Sequence, residues 1–77
     1  MMATEVTIPK LGFAMNEGTL QEWSLEDGAA VKAGEILFLL ESDKSTNEIE
    51  APADGTLRIL KPAGEVYQVG TVIGMIE

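Results

Sequence analysis

The side chains that most often carry out chemistry in proteins are scarce in this sequence, which contains neither cysteine nor histidine. Thiol nucleophiles, disulfide frameworks, zinc sites and histidine-dependent catalytic triads are therefore excluded together. The composition does not indicate an enzyme that performs its own catalysis.

Lys44 is the candidate site, because it is a single cation among carboxylates at a point where the chain must reverse. It lies between the apolar run 36–40 and a second extended segment, 46–51. Ser42 followed by Asp43 and Lys44 suits a type I turn, which needs no glycine, so we expect Lys44 at a hairpin tip. The surrounding acidic residues are Glu41, Asp43, Glu48 and Glu50. The ordinary alternative is a solvated lysine on a turn.

An internal repeat organises the elements that would position this lysine. The triplet 18–20, Gly-Thr-Leu, returns as 55–57, and the segment 28–41 aligns with 64–77 at a constant offset of 36 residues. Two copies are too few for a solenoid. We therefore expect the two halves to pack face to face around a pseudo-twofold axis, each covering the apolar side of the other.

The segments within each half predict an all-β fold. They are short, rich in valine, isoleucine, leucine and threonine, and interrupted by glycine, proline or aspartate. No window keeps the 3.6-residue apolar period of a helix for three turns. The chain length of 77 residues indicates one small domain with a modest core, covering residues 1–77.

Alternation with a period of two predicts which strand residues face the core. The predicted core positions are Ile36, Phe38 and Leu40, with counterparts Val72, Gly74 and Ile76 in the second half. Leu39 and Met75 then point outward, and as symmetry equivalents they are expected to form one small apolar surface patch.

The first residues predict a strand containing Val6 and Ile8 that ends at Pro9, followed by a loop over residues 10–18. Loops of this kind often carry partner contacts. Symmetry requires the opening strand to pair with the last one near Glu77. The two termini should therefore lie close together, at the end of the domain opposite Lys44.

The formal charge of −8, with only five cations, argues against two classes of partner. Phosphate backbones and anionic lipid surfaces would both be repelled, so neither nucleic acid nor a membrane is expected. The longest apolar run is far too short to span a bilayer, and no secretory leader pattern is present. The expected location is the bacterial cytoplasm or a mitochondrial matrix equivalent.

The motifs together resemble the lipoyl domain family, in which an Asp-Lys pair lies at a hairpin tip between two pseudo-symmetric halves. The resemblance covers almost the whole chain and is carried by Ile8-Pro9-Lys10-Leu11-Gly12, Glu17-Gly18-Thr19, Gly28, Gly34, Glu41-Ser42-Asp43-Lys44-Ser45, Glu48-Ile49-Glu50-Ala51-Pro52 and Gly55. It implies a flattened barrel-sandwich of two antiparallel sheets. It also implies that lipoic acid is attached to Lys44 as an amide.

The resemblance further implies a non-catalytic swinging-arm carrier of a 2-oxo acid or acetoin dehydrogenase complex. Its partners would be a lipoyl ligase or lipoyltransferase, a thiamine-dependent decarboxylase, an acyltransferase catalytic domain and a flavin-dependent dihydrolipoamide dehydrogenase. The chain would be the N-terminal module of a longer dihydrolipoamide acyltransferase. Segment 12–15 is similar to the pyruvate or acetoin types rather than to the succinyl-transferring type.

The resemblance also assigns recognition roles around the lysine. Residues expected to be recognised by the ligase and by partners are Glu41, Asp43, Ser45, Glu48, Gly12, Phe13, Ala14, Met15 and Asn16. Two alternatives stay open: a biotinyl carrier, whose target lysine is flanked by methionines rather than by Asp43 and Ser45, and an unmodified barrel-sandwich module that only binds a partner.

Overall fold

Eight β-strands make up the described part of the chain, which a computed structural model places as residues 3–12, 15–42 and 45–77. The strands are β1 (Thr4–Thr7), β2 (Glu17–Trp23), β3 (Ala30–Val31), β4 (Ile36–Glu41), β5 (Thr46–Glu50), β6 (Gly55–Ile59), β7 (Glu65–Gln68) and β8 (Val72–Ile76). The described residues contain no helix, and thus none long and apolar enough to cross a membrane. The all-β prediction is confirmed.

The strands form two four-stranded antiparallel sheets, with the orders β1-β8-β6-β3 and β5-β4-β2-β7. Each sheet takes strands from both halves of the sequence, so the halves interlock instead of packing as separate units. The opening strand pairs with the last one, with Thr4 opposite Ile76. The two ends of the described chain therefore lie side by side, as predicted.

Equivalent backbone hydrogen bonds confirm the pseudo-twofold relation. The Gly34 amide donates to the Ala51 carbonyl at 3.0 Å, and Gly70 donates in the same way to Ile8 at 2.9 Å. The Ala51 amide in turn donates to the carbonyl of Glu35, just before β4, at 2.8 Å. The Ile8 amide donates in the same way to Thr71, just before β8, at 3.1 Å. Both glycines have a φ of 91°, a value that L side chains rarely adopt.

Two β-bulges change which strand residues reach the core. Along β4 the pairing passes from Ile36 to Phe38 while β5 advances by a single residue. Along β8 it passes from Gly74 to Val72 while β1 also advances by a single residue. The extra residues, Leu37 and Ile73, are fully buried, whereas Ile36 and Val72 are only half-buried. The prediction of those two as core residues was wrong, because a bulge shifts the alternation by one residue.

The core lies between the sheets and is entirely apolar. Its buried members are Val6, Ile8, Leu20, Val31, Leu37, Phe38, Leu40, Ala51, Leu57, Ile73 and Ile76. Leu39 and Met75 are half-buried but lie on different sheets, with charged cross-strand neighbours. The predicted single patch of these two side chains is therefore wrong, because the symmetry axis places equivalent outward residues on opposite sheets.

The start of β4 and the end of β8 lie at the same end of the domain. Next to the start of β4, the Ala33 amide donates to Asp54 Oδ1 at 2.7 Å. Two residues after Asp54, Thr56 exchanges backbone hydrogen bonds of 2.8 and 2.9 Å with Glu77. The start of β4 and the end of β8 thus share one end of the domain, and β4 runs from there to Glu41 at the other.

Candidate functional site

The β4–β5 hairpin holds the segment that contains the candidate lysine. Beyond the bulge at Leu37, its antiparallel register is regular from Phe38 opposite Ile49 to Glu41 opposite Thr46. Beyond that pair, the Ser42 amide donates to the Ser45 carbonyl at 2.8 Å. Residues 43 and 44 are the two that connect this closing pair in the sequence. Asp43 and Lys44 themselves lie outside the described residues, so the type I turn and the position of the amine stay predictions.

Polar side chains reinforce the closing pair of the hairpin. The Ser42 hydroxyl donates to the Ser45 carbonyl at 3.3 Å and lies 3.4 Å from the Ser45 hydroxyl. Asn47 Nδ2 donates to Ser45 Oγ at 3.3 Å. Below them, the Leu40 side chain is fully buried and fixes the end of β4 to the core. The hairpin is therefore ordered up to the residues that flank the candidate lysine.

The acidic recognition candidates lie along the hairpin rather than in one cluster. Glu41 is exposed and pairs with Thr19 on one side and Thr46 on the other. Glu48 is exposed on the edge strand β5, three residues beyond Ser45 and so roughly 10 Å along the strand. Its position fits both a recognition role and the simpler role of keeping an edge strand soluble.

The loop that precedes β2 is held by Met15, a half-buried residue that packs against the core. Its amide donates to the Gly12 carbonyl at 3.2 Å, and its Sδ accepts a hydrogen bond from the Leu11 amide at 3.3 Å. Gly12 and Asn16 are exposed, and the Asn16 carbonyl accepts from the Val69 amide at 3.0 Å. Phe13 and Ala14 lie outside the described residues.

Strand β2 brings this loop next to the hairpin. Gly18, three residues after Met15, is buried, and the next residue, Thr19, is the cross-strand partner of Glu41. An open groove between the loop end and the hairpin is lined by Glu17, Gly18, Thr19, Glu41, Ser42 and Val66. Of the predicted recognition residues, only Glu41 lines this groove, and the loop reaches the groove through Glu17 and Gly18, which follow Asn16 in the sequence.

Of the groove residues, only Glu41 was predicted as a recognition residue. Val66 carried no signal in the sequence, and it has 54% of its surface exposed on strand β7. Gly18 and Thr19 did carry one, because they belong to a repeated triplet, but the repeat alone does not say what lies beside them. Among the described residues, no group of three acidic side chains is placed to hold a metal ion.

Both large polar aromatic residues pack beside the core rather than at the groove. Trp23 stacks at a tilt on Phe38, with ring centroids 5.4 Å apart, and its indole donates to the Lys61 carbonyl at 3.1 Å. The Tyr67 hydroxyl donates to the Pro62 carbonyl at 2.7 Å. The pKa of Tyr67 is raised above its ordinary value, mainly by partial burial and to a smaller extent by a hydrogen bond with Glu65.

Comparison with known proteins confirms the resemblance seen in the motifs. Residues 4–76 match the Biotin_lipoyl family, described as biotin-requiring enzyme. The solved lipoyl domain of the 2-oxoglutarate dehydrogenase complex from Azotobacter vinelandii is 29% identical and superposes with a TM-score of 0.79, covering 96% of this chain and 95% of that one. At this similarity and coverage, the flattened two-sheet fold expected from the sequence is confirmed.

Curated relatives are acyltransferase components of three kinds of complex. The chain is 44% identical, over 97% of its length, to the dihydrolipoyllysine-residue acetyltransferase component of the pyruvate dehydrogenase complex of Zymomonas mobilis. It is 40% identical, over 94% of its length, to the succinyltransferase component of the 2-oxoglutarate dehydrogenase complex of Bacillus subtilis. It is 36% identical, over 97% of its length, to the acetyltransferase component of the acetoin cleaving system of Cupriavidus necator. The matched regions make up only 18%, 18% and 22% of those relatives.

Proposed function

The chain belongs to the biotinyl and lipoyl attachment domain family and has the fold of a lipoyl domain, and we propose that Lys44 is the residue that carries its lipoic acid. The observation that carries this proposal is the hairpin whose hydrogen-bonded closing pair, Ser42 and Ser45, is connected by Asp43-Lys44. A ligase needs an amine that it can reach, and a lysine in a two-residue connection at the end of a hairpin is expected to present one. The domain is a carrier and not a catalyst.

The protein's own contribution is attachment, placement and recognition. When bound, lipoic acid supplies a dithiolane that can carry an acyl group and two electrons. The hairpin fixes the base of the arm, and the described residues provide no thiol or imidazole that would compete with the cofactor. Amide formation removes one positive charge from Lys44, so the formal charge changes from −8 to −9.

The acidic and hydroxyl residues beside the lysine are proposed as recognition groups. Asp43 and Ser45 flank the amine in the sequence and are the nearest features for a ligase to recognise. Glu41 and Glu48 are exposed along the hairpin and would steer basic partner surfaces toward it. Such steering acts over about a Debye length, so it weakens as salt is added.

The loop before β2 is proposed as a recognition element for the thiamine-dependent decarboxylase, and the broken symmetry supports this. Ile8 and Ala51, which make equivalent hydrogen bonds in the two halves, are separated by 43 residues in the sequence. The equivalent glycines that follow them, Gly18 and Gly55, are separated by only 37. The segment from Ile8 to Gly18 is therefore six residues longer than the equivalent segment from Ala51 to Gly55 (43 minus 37). The second half builds the same strands without the insertion, so the fold does not require it.

The parent is proposed to be a dihydrolipoamide acyltransferase that works with a decarboxylase, an acyltransferase domain and a flavin dehydrogenase, in the bacterial cytoplasm or a matrix equivalent. Acetyltransferase and succinyltransferase relatives share similar percentages of sequence identity with this chain. The proposal favours a pyruvate or acetoin complex because of segment 12–15. Comparing reductive acylation with pyruvate and with 2-oxoglutarate decarboxylases tests that preference, and faster acylation by the 2-oxoglutarate enzyme contradicts it.

Intact-mass measurement after incubation with lipoyl ligase, ATP and lipoate tests the attachment itself. We expect the wild-type chain to gain one lipoyl group and Lys44→Ala to gain none. Lys32→Ala, which removes another lysine on a connection between strands, is the matched control and should be modified at the wild-type rate. A gain in Lys44→Ala contradicts the assignment of the residue.

A parallel incubation with biotin ligase and biotin separates the alternatives. We expect no mass gain in that reaction, because the flanking residues are Asp43 and Ser45 rather than methionines. A biotin gain would identify a biotinyl carrier instead. If neither ligase modifies the chain, it is an unmodified interaction module and the proposal fails.

A further inference from the structure

One side chain connects the inserted loop to the sheet beneath the hairpin. Met15 Sδ accepts the Leu11 amide at 3.3 Å, and its backbone amide bonds to Gly12 at 3.2 Å. At the other end of the side chain, the Met15 methyl group lies directly above Gly18. A Cβ built on Gly18 would be 2.8 Å from Met15 Cε and 2.9 Å from Leu40 Cδ1. Met15 therefore bridges the loop backbone and the buried surface of β2.

The other half of the molecule covers the equivalent glycine in a different way. Above Gly55 lies the backbone carbonyl of Glu77, together with Ile76 Cγ2 at 2.7 Å from a built Cβ. Ile76 is the counterpart of Leu40, but the three atoms nearest to a Cβ built on Gly18 all belong to side chains, and the Met15 methyl group is the nearest of them. A flexible, unbranched thioether suits such an irregular gap. The missing Cβ of Gly18 thus provides a seat for the inserted loop.

We propose that Met15 is a positioning residue that holds the loop residues Leu11 and Gly12 in one place beside strands β2 and β4, so that a decarboxylase recognises them together with the β4–β5 hairpin. The inference rests on the proposed function of the domain. Gly18 is adjacent to Thr19, the partner of Glu41, so a loop seated on Gly18 lies next to the strand that leads to Lys44. Met15 need not contact the partner, because it acts by fixing the loop.

The test uses lipoylated Met15→Ala, with Met75→Ala as the matched control. Met75 is also half-buried, but it lies on the outer side of the opposite sheet. The probe is reductive acetylation by a pyruvate decarboxylase component. If the loop is correctly placed about a tenth of the time without its anchor, KM for the domain rises about tenfold in Met15→Ala while kcat changes little. Met75→Ala should retain the wild-type KM.

A readout independent of the loaded domain is amide exchange measured by NMR on the unmodified chain. Met15→Ala should accelerate exchange of the Leu11 amide and move the Gly18 resonance, while amides of β6 and β8 keep their protection. Met15→Leu refills the space above Gly18 without the sulfur acceptor, and it should restore most of the KM. Should Met15→Ala fail to fold, Met15→Leu still tests the sulfur anchor, because its Leu11 amide should exchange faster than that of the wild-type chain.

The possible outcomes separate this inference from the function on which it rests. If wild-type chain is not lipoylated, the proposed function fails. If it is lipoylated and acetylated but Met15→Ala shows an unchanged KM and an unchanged Leu11 amide, the positioning role of Met15 is wrong. A fall in kcat alone, with KM unchanged, also contradicts it.

Discussion

Tyr67 couples the protonation of one side chain to the stability of the fold. Its hydroxyl donates to the Pro62 carbonyl, lies 3.1 Å from Glu65 Oε2 and has a pKa raised mainly by burial. Because the folded pKa lies above the unfolded value of about 10, the stabilising contribution is complete below pH 10. It is lost as the pH rises through the folded pKa.

Urea unfolding of the wild-type chain and Tyr67→Phe between pH 8 and pH 11 tests this coupling. We expect the variant to be less stable by about 1 kcal/mol at pH 8, since it loses one hydrogen bond. The difference should shrink above pH 10. Tyr67 is the sequence's only tyrosine, so the phenolate absorbance of the folded chain reports its pKa directly. An ordinary pKa, or a difference independent of pH, would contradict the interpretation.

At the same scale, sequence reasoning identified the residue types but not their contacts. Lys44 stands out because a lone cation lies among carboxylates between two extended segments, and the closing pair Ser42–Ser45 lies where the predicted turn requires it. The seat of Met15 on Gly18 was not predictable in this way. It depends on which groups meet across sheets, and spacing along the chain does not contain that information.

At the scale of the elements, Gly18 and Gly55 provide a paired test of the pseudo-symmetry. They open equivalent strands, but a Cβ on Gly18 meets the flexible ends of Met15 and Leu40, whereas a Cβ on Gly55 meets the backbone of Glu77. Gly55 also has a φ of 154°, at the margin of the region that favours glycine. The two sites should therefore respond differently to the same substitution.

Alanine substitutions at the two glycines, compared by chemical denaturation, test this difference. We expect Gly18→Ala to cost about 1 kcal/mol, because side chains can move aside. Gly55→Ala should cost roughly 3 kcal/mol, because strand β8 must shift. Equal losses, or a larger loss at Gly18, would show that the two environments are not as described.

The strands themselves were largely predictable, because alternation and glycine punctuation are local signals. The bulges were not. Leu37 and Ile73 each add one residue opposite a partner strand, and only the pairing of two strands reveals such an addition. The same limit explains why Ile36 and Val72 were assigned to the core. A prediction from sequence periodicity alone assumes that the pairing of strands is uninterrupted.

At the scale of the whole molecule, symmetry predicts matched energetic roles for equivalent core residues. Leu20 and Leu57 are both fully buried, one in each sheet. Replacement of either by alanine should cost about 3 kcal/mol, a large part of the total stability of so small a domain. The free energies of unfolding of the two variants, obtained by chemical denaturation, should agree within about 1 kcal/mol. A nearly neutral effect at either site would show that the two halves do not share the core equally.

The pairing of Thr4 with Ile76 gives the fold two equivalent vertices, of which only one is bridged by residues 43 and 44. A short peptide joining Glu77 to Thr4 would create a second hairpin at the far end, and new termini could be opened in the connection between β6 and β7. If the proposed attachment at Lys44 holds, such a circular permutant, given Asp-Lys in the new bridge, would carry two prosthetic arms on one scaffold. The domain would then face its ligase from either end.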